Sequence, residues 1–395
     1  MKMRRLRMNQ RSLNASSFRV GTRFRQLMNV TARTVAVILV ISIPAWFSLE
    51  AQDQSRGAGG SQAGAPVTLG KVYSFEKIAD GVYYATSRSP MMMLTGGNNP
   101  IIVNERDVML VDDGASPAVA QALVEDLKLI TNKPVRWVIN THYHYDHVAG
   151  NSIFGPEVEI IGQESLTPAI MDLDWRHLEP YTGAVSRMSI RVESLKKQIA
   201  EEKDAGSRAT LEKQLAAAQA DLEQQKFLKP TPPTMTYSSK MTLYRGQREI
   251  QLLFLGLGHT HGDTVVFLPK ERIVCTGDLM EGSPEGGRLS YMGDAVFDKW
   301  ITTLEALKQL DFDTVLPGHG MPFRGKSNIT AFQAYLRDFM TQVATLRKQG
   351  LSADQVAQKV DLTSHKTDFP EIKGPGADIR AVRRVYEWMD ERAKP

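Results

Sequence analysis

The sequence predicts a mixed α/β protein in which layered β-sheets are flanked by outer helices. Three observations predict it. Apolar and polar residues alternate around an early Asp80-Gly81 turn, later short apolar runs alternate with helical segments, and 42% of the 395 residues are hydrophobic, enough for a sizeable core. With 23% charged residues the composition is globular, which excludes a disordered chain, a collagen-like fibre and a multi-span membrane protein. The single cysteine, Cys275, excludes an intrachain disulfide and a cysteine-rich zinc module.

The first 51 residues carry nine Lys or Arg and one acid, Glu50, whereas the remainder carries 39 basic and 43 acidic residues. A mildly acidic body gives no electrostatic reason to expect nucleic acid as a partner. An apolar run over residues 34–49 follows the basic stretch and contains Pro44. It is shorter than the roughly 20 apolar residues of a membrane span. The pattern is expected to be a secretory signal peptide ending near Ala51, or an uncleaved N-terminal membrane anchor. Either expectation exports the body, to the periplasm or the medium. Residues 52–66, rich in Gly, Ser, Ala and Gln, read as a flexible linker.

The body begins with the hairpin pattern over residues 72–86. Apolar runs at 100–103 and 108–111 then lead into Asp112-Asp113-Gly114. Ala118, Ala122, Leu123, Leu127 and Ile130 line one face of a helix. Short β-rich runs follow at 135–140, 158–161, 251–256, 265–268, 272–276 and 314–316, and residues 329–349 and 376–393 read as terminal helices. Between them, residues 184–228 carry two apolar seams spaced four, three, four. Met188, Val192, Leu195 and Ile199 form one; Leu211, Leu215, Ala218 and Leu222 form the other. This predicts a coiled-coil helical hairpin, serving as a surface insertion, a lid or a homodimer arm. Pro230, Pro232 and Pro233 end it. The expected domain spans 67–345, with a helical extension over 346–395.

The chemistry is carried by histidines. Thr141-His142-Tyr143-His144-Tyr145-Asp146-His147 packs three imidazoles and a carboxylate into one loop after an apolar run. In an extended segment residues two apart point the same way, so His142 and His144 can clamp one metal. Asp146 and His147 can turn toward a second. His259 and His319 each follow an apolar run and sit beside glycine, as does Asp278. Tyr143 and Tyr145 are candidate proton donors or packing residues, and Met91 to Leu94 a flap or a buried strand. Cys275, on an alternating strand, is expected in the core.

On this HxHxDH motif and the Gly-flanked histidines, the sequence resembles the metallo-β-lactamase superfamily over roughly residues 72–325. The resemblance implies a four-layer αββα sandwich. It implies one metal on His142, His144 and His259, a second on Asp146, His147 and His319, and Asp278 bridging both, as in the glyoxalase II-like branch. Asp112, in Leu110-Val111-Asp112-Asp113-Gly114, matches an aspartate that supports the site from behind. His261 and Asp263 are expected to orient His259 and its loop. The cofactors implied are two divalent ions, most simply Zn²⁺, with Fe or Mn as alternatives. The activity implied is hydrolysis of an ester, thioester, lactone or amide, including a β-lactam ring. The resemblance implies that hydroxide held between the metals would be the attacking group, with Asp146 and Asp278 as the catalytic carboxylates. The substrate is a small molecule. Competing readings are a mononuclear-iron oxidoreductase resembling persulfide dioxygenases and an envelope binding protein with a vestigial site.

Overall fold

A computed structural model describes residues 66–88 and 96–393. The leader, the linker up to residue 65 and the Met91-Met92-Met93-Leu94 segment lie outside the described residues.

The first sheet holds eight strands in chain order: β1 (Val67–Leu69), β2 (Tyr73–Ala79), β3 (Val82–Ser87), β4 (Asn99–Val103), β5 (Val108–Val111), β6 (Val135–Ile139), β7 (Glu159–Gln163) and β8 (Met235–Tyr237). β1 to β5 pair antiparallel and β5 to β8 parallel. The change has a local cause. Tight turns link antiparallel neighbours, as at Gly81, whose φ of 66° few other residues tolerate. A parallel neighbour needs a crossover, which α1 (Pro117–Leu127) supplies between β5 and β6. Ser116 caps that helix by accepting from Val119 N, and Pro117 opens it.

The short helices α2 (Tyr145–Val148) and α3 (Leu166–Met171) precede two long ones, α4 (Tyr181–Glu201) and α5 (Ala205–Gln224). α4 and α5 fold back on each other, with Val192 and Leu195 against Ala218, Leu211 and Leu215. Asp204 caps α5 at Ser207 N.

The second sheet contains β9 (Lys240–Arg245), β10 (Arg248–Phe254), β11 (Thr264–Leu268) and β12 (Ile273–Gly277). A separate hairpin, β13 (Glu281–Ser283) with β14 (Gly286–Arg288), and α6 (Phe297–Lys308) intervene. β15 (Thr314–Pro317) and β16 (Phe323–Arg324) then complete the order β16-β15-β12-β11-β10-β9. α7 (Ser327–Lys348), α8 (Ala353–Lys359) and α9 (Ile379–Ala393) follow.

Alternation along the strands builds the layers. Tyr84, Ile102, Met109, Val111, Ile139 and Ile161 face inward from the first sheet. They meet Leu252, Val266, Leu268, Cys275 and Leu316 from the second. The intervening residues face outward: Ile101, Val108 and Leu110 pack on Val119, Leu123 and Leu127 of α1. Val265, Val274 and Val315 pack beneath Trp300, Phe332, Phe339 and Val382 of the C-terminal helices. Helix, sheet, sheet and helix thus form an α/β sandwich. Each fully buried side chain of this size contributes about 1.5–3 kcal/mol.

The expectation of a membrane anchor is corrected. Among the described residues no helix is long and apolar enough to cross a membrane. The long helix α4 is amphipathic and carries Arg187, Arg191, Glu193, Lys196, Lys197 and Glu201. The 34–49 run on which the expectation rested lies outside the described residues.

Candidate metal centre

All seven candidate donors lie at or just beyond strand ends on one edge of the sandwich. The β6 end carries His142, His144, Asp146 and His147. His259 follows β10, Asp278 follows β12 and His319 follows β15. Both sheets therefore contribute, and the structure brings all seven together.

His144 Nδ1 lies 3.1 Å from His142 Nε2 and 3.1 Å from His259 Nε2, closing the first cluster. In the second, Asp146 Oδ2 lies 3.0 Å from His319 Nε2 and 3.6 Å from His147 Nε2. Asp278 sits between them. Its Oδ2 is 3.9 Å from His142 Nε2, 3.6 Å from His259 Nε2 and 3.5 Å from His319 Nε2, and its Oδ1 is 3.5 Å from His147 Nε2.

Neighbouring side chains settle which ring nitrogens face the centre. Asp112 accepts from His147 Nδ1 at 2.8 Å, leaving Nε2 a lone pair. Asp112 also accepts from Thr141 N and Thr141 Oγ1, at 2.7 and 2.8 Å. With its proton so placed, the Thr141 hydroxyl accepts from His142 Nδ1 at 3.0 Å, freeing His142 Nε2. Asp112 does this from φ 61°, a conformation costly for a non-glycine residue.

His144 is turned the other way. Its Nε2 donates to Asp294 Oδ2 at 2.8 Å, and Tyr143 Oη donates to the same oxygen at 2.6 Å. Asp294 is one residue that sequence reasoning missed. It stands in the irregular stretch before α6, where neither spacing nor periodicity marks it. The same bond commits the Tyr143 proton. Tyr145 packs into an aromatic cluster with Trp175 and Tyr181.

Asp263 acts on the His259 loop through its backbone, accepting from Thr260 N and Oγ1. The His261 side chain is exposed, and its carbonyl accepts from Ser165 Oγ. Away from the centre, His177 lies 3.5 Å from Asp174 and His365 bonds to Asp338 at 3.0 Å.

The donors fit a pair of cations. His147 Nε2 and Asp278 Oδ1 are buried polar atoms with no hydrogen-bond partner, a costly arrangement that a cation relieves. Burial and neighbouring imidazoles keep His142 well below the usual histidine range and bring His259 down to about 3, so both are neutral donors. Burial would raise the two carboxyls, but the surrounding histidines bring Asp146 to about 2 and hold Asp278 well below its usual value. Burial would lower His147 and His319 as well, but the carboxylates of Asp278 and Asp146 push His147 well above the usual histidine range and His319 up to about 9, so at those two rings a proton stands where a cation would bind. Imidazole nitrogens with ionised carboxylates are a borderline-hard divalent ion's donor set. Three overlapping groups, His142 with His144 and His259, His142 with His147 and Asp278, and Asp146 with His147 and His319, suggest a binuclear site.

Residues 94–158 and 242–319 match the family model described as the metallo-beta-lactamase superfamily. A linear primary-alkylsulfatase of Pseudomonas sp. (strain ATCC 19151) is 23% identical over 295 residues, 71% of this chain and 53% of that protein. A metallo-beta-lactamase type 2 of Bacillus sp. (strain 170) is 32% identical over 77 residues, 19% of this chain and 30% of that protein. The chain thus spans about half the length of the first relative and under a third of the second. Among solved structures, a metallo-beta-lactamase from Pontibacter korlensis aligns with a TM-score of 0.44 at 17% identity, covering 69% of this chain and 98% of that one. Over those two matched segments the chain carries the metallo-β-lactamase superfamily fold, and its catalytic-residue clusters are consistent with a binuclear metallohydrolase.

Proposed function

We propose that this chain is an exported metal-dependent hydrolase that uses two Zn²⁺ ions to cleave an ester, thioester, lactone or amide in a small molecule. The observation that carries the reading is Asp278, one carboxylate within 3.9 Å of imidazoles from both clusters. In this proposal His142, His144 and His259 hold one ion, Asp146, His147 and His319 the other, and Asp278 both. When bound, such ions supply Lewis acidity and lower the pKa of water to about 7.

The chain's own residues do the rest. Asp146 and Asp278, held ionised, accept hydrogen bonds from the attacking water and aim it. Asp112, Thr141 and Asp294 hold the imidazoles in the tautomers that leave one lone pair inward. Tyr143, bonded to Asp294, steadies that carboxylate and is not the proton donor.

The alkylsulfatase and β-lactamase names of the relatives put an alkyl sulfate ester and a β-lactam on the substrate panel. The basic and apolar pattern of residues 1–51 supports export. The domain is proposed to span 67–345, with 346–395 as a C-terminal extension. The α4–α5 pair falls in the interval 159–241 that the family match leaves out. That supports reading the pair as an inserted coiled-coil hairpin, whose outer face, with exposed Ile190, is the surface proposed for a homodimer.

Elemental analysis of purified protein beside a panel of lactone, thioester, cephalosporin and alkyl sulfate, with and without chelator, tests the function. Two zinc ions per chain and chelator-sensitive hydrolysis are expected. One iron per chain with oxygen uptake would replace the hydrolase by an oxidoreductase.

A further inference from the structure

Three of the imidazoles at the centre are fixed through their second nitrogen or its neighbours, by Thr141, Asp112 and Asp294. His319 is fixed differently. It stands in the loop Pro317-Gly318-His319-Gly320, and it is the backbone of this loop that is gripped. Pro317 O accepts from Tyr84 Oη at 2.9 Å, and Gly318 O from Asn98 N at 2.6 Å. Gly320 O accepts from Asn98 Nδ2 at 2.8 Å and lies 3.1 Å from Tyr84 Oη, whose single proton it can only share with Pro317 O. Asn98 Nδ2 also donates to Tyr84 Oη at 2.7 Å, so its two protons are both used.

Tyr84 lies on β3 and Asn98 just before β4, both in the first sheet, whereas the loop ends β15 of the second. The clamp therefore reaches across the sandwich. Both side chains are buried, Tyr84 at 2% exposure and Asn98 at 9%. The loop has little freedom on its other side. Gly318 N bonds to Gly277 O at 2.9 Å, and a Cβ on Gly320, where φ is 79°, would collide with the Gly282 carbonyl. Metal donors must sit within about 0.2 Å of their proper distance, so a loop held through three carbonyls on either side of His319 is a means of placing one ring.

We propose that Tyr84 and Asn98 are positioning residues that set His319 for the second cation. The inference rests on the two-cation reading above. Tyr84→Phe keeps the ring that packs between the sheets and removes only the hydroxyl, freeing Pro317 O and one Asn98 proton. Asn98→Ala removes the other half of the clamp. Metal-stripped wild type and both variants are titrated with Co²⁺, following its visible absorption bands, with circular dichroism and Tm as checks on folding.

The first equivalent, at His142, His144 and His259, is expected to bind as in wild type. The second is expected to weaken about 10- to 100-fold, as loss of an outer hydrogen bond does elsewhere. Two ions bound as tightly as in wild type by both variants, or two weakened in parallel, would overturn the inference. If one variant does not fold, the other decides. Wild type taking up fewer than two ions refutes the two-cation reading itself and removes this inference with it.

Discussion

His142, His144 and His147 share one short loop, yet each is held by a different neighbour, and those neighbours are where single substitutions are most informative. Asp294→Ala frees the His144 ring and the Tyr143 hydroxyl together. Hydrolysis is expected to fall about 10- to 100-fold with the circular dichroism spectrum unchanged, measured as kcat/KM at saturating metal. A second carboxylate acts far from the centre. Asp126 on α1 accepts from Lys71 N, Val72 N and Tyr73 N at 3.0, 2.7 and 2.9 Å, pinning the chain ahead of β2. Burial would push its carboxyl up, but those three donors hold it below the usual carboxylate range. Its folded pKa is depressed, so its stabilisation is complete above the unfolded value of about 3.9 and is lost as pH falls through the folded one. Denaturation midpoints of wild type and Asp126→Asn are expected to converge below about pH 4. Of these residues the histidines were legible, because an HxHxDH spacing is improbable without a metal. Asp294 was not, since its role exists only once α6 has brought it beside His144.

Among the elements, the hairpin at Asp80-Gly81, the strands from β4 to β7 and the helices α1, α7 and α9 could be read from the sequence, because each buries a face whose period is its own, whereas α6 and α8 were not anticipated. The two seams of 184–228 correspond to α4 and α5, although α4 begins three residues earlier, at Tyr181. β13 and β14 were not anticipated: Gly-Ser-Pro-Glu-Gly-Gly reads as loop, and what holds β13 is pairing with β14 and a bridge from Gly282 to Gly320. Leu195 is fully buried in the seam between α4 and α5, and only that pair depends on it. Leu195→Ala is expected to cost about 2–5 kcal/mol locally. Amide exchange over residues 190–215 should accelerate, while that of β10 to β12 and the metal content stay as they are.

Over the whole molecule, the centre joins two sheets: His142 to His147 come from one, His259, Asp278 and His319 from the other. A cation held by both binds only the folded chain, and at a thousandfold excess over Kd it would add about 4 kcal/mol. Chelation is therefore expected to lower the Tm measured by calorimetry, and stoichiometric Zn²⁺ to restore it. A Tm indifferent to chelator would mean that the clusters hold no ion tightly.

The residues alone determined the class of layers and marked seven candidate donors, because burial imposes a period on strands and helices and a metal calls for a particular donor type and spacing. Only the tertiary structure decided which ring nitrogens face inward and that Tyr84, Asn98 and Asp294 stand beside the site. Those are contacts between residues up to more than 200 positions apart in the chain, and a linear pattern carries no trace of a partner that only folding brings near.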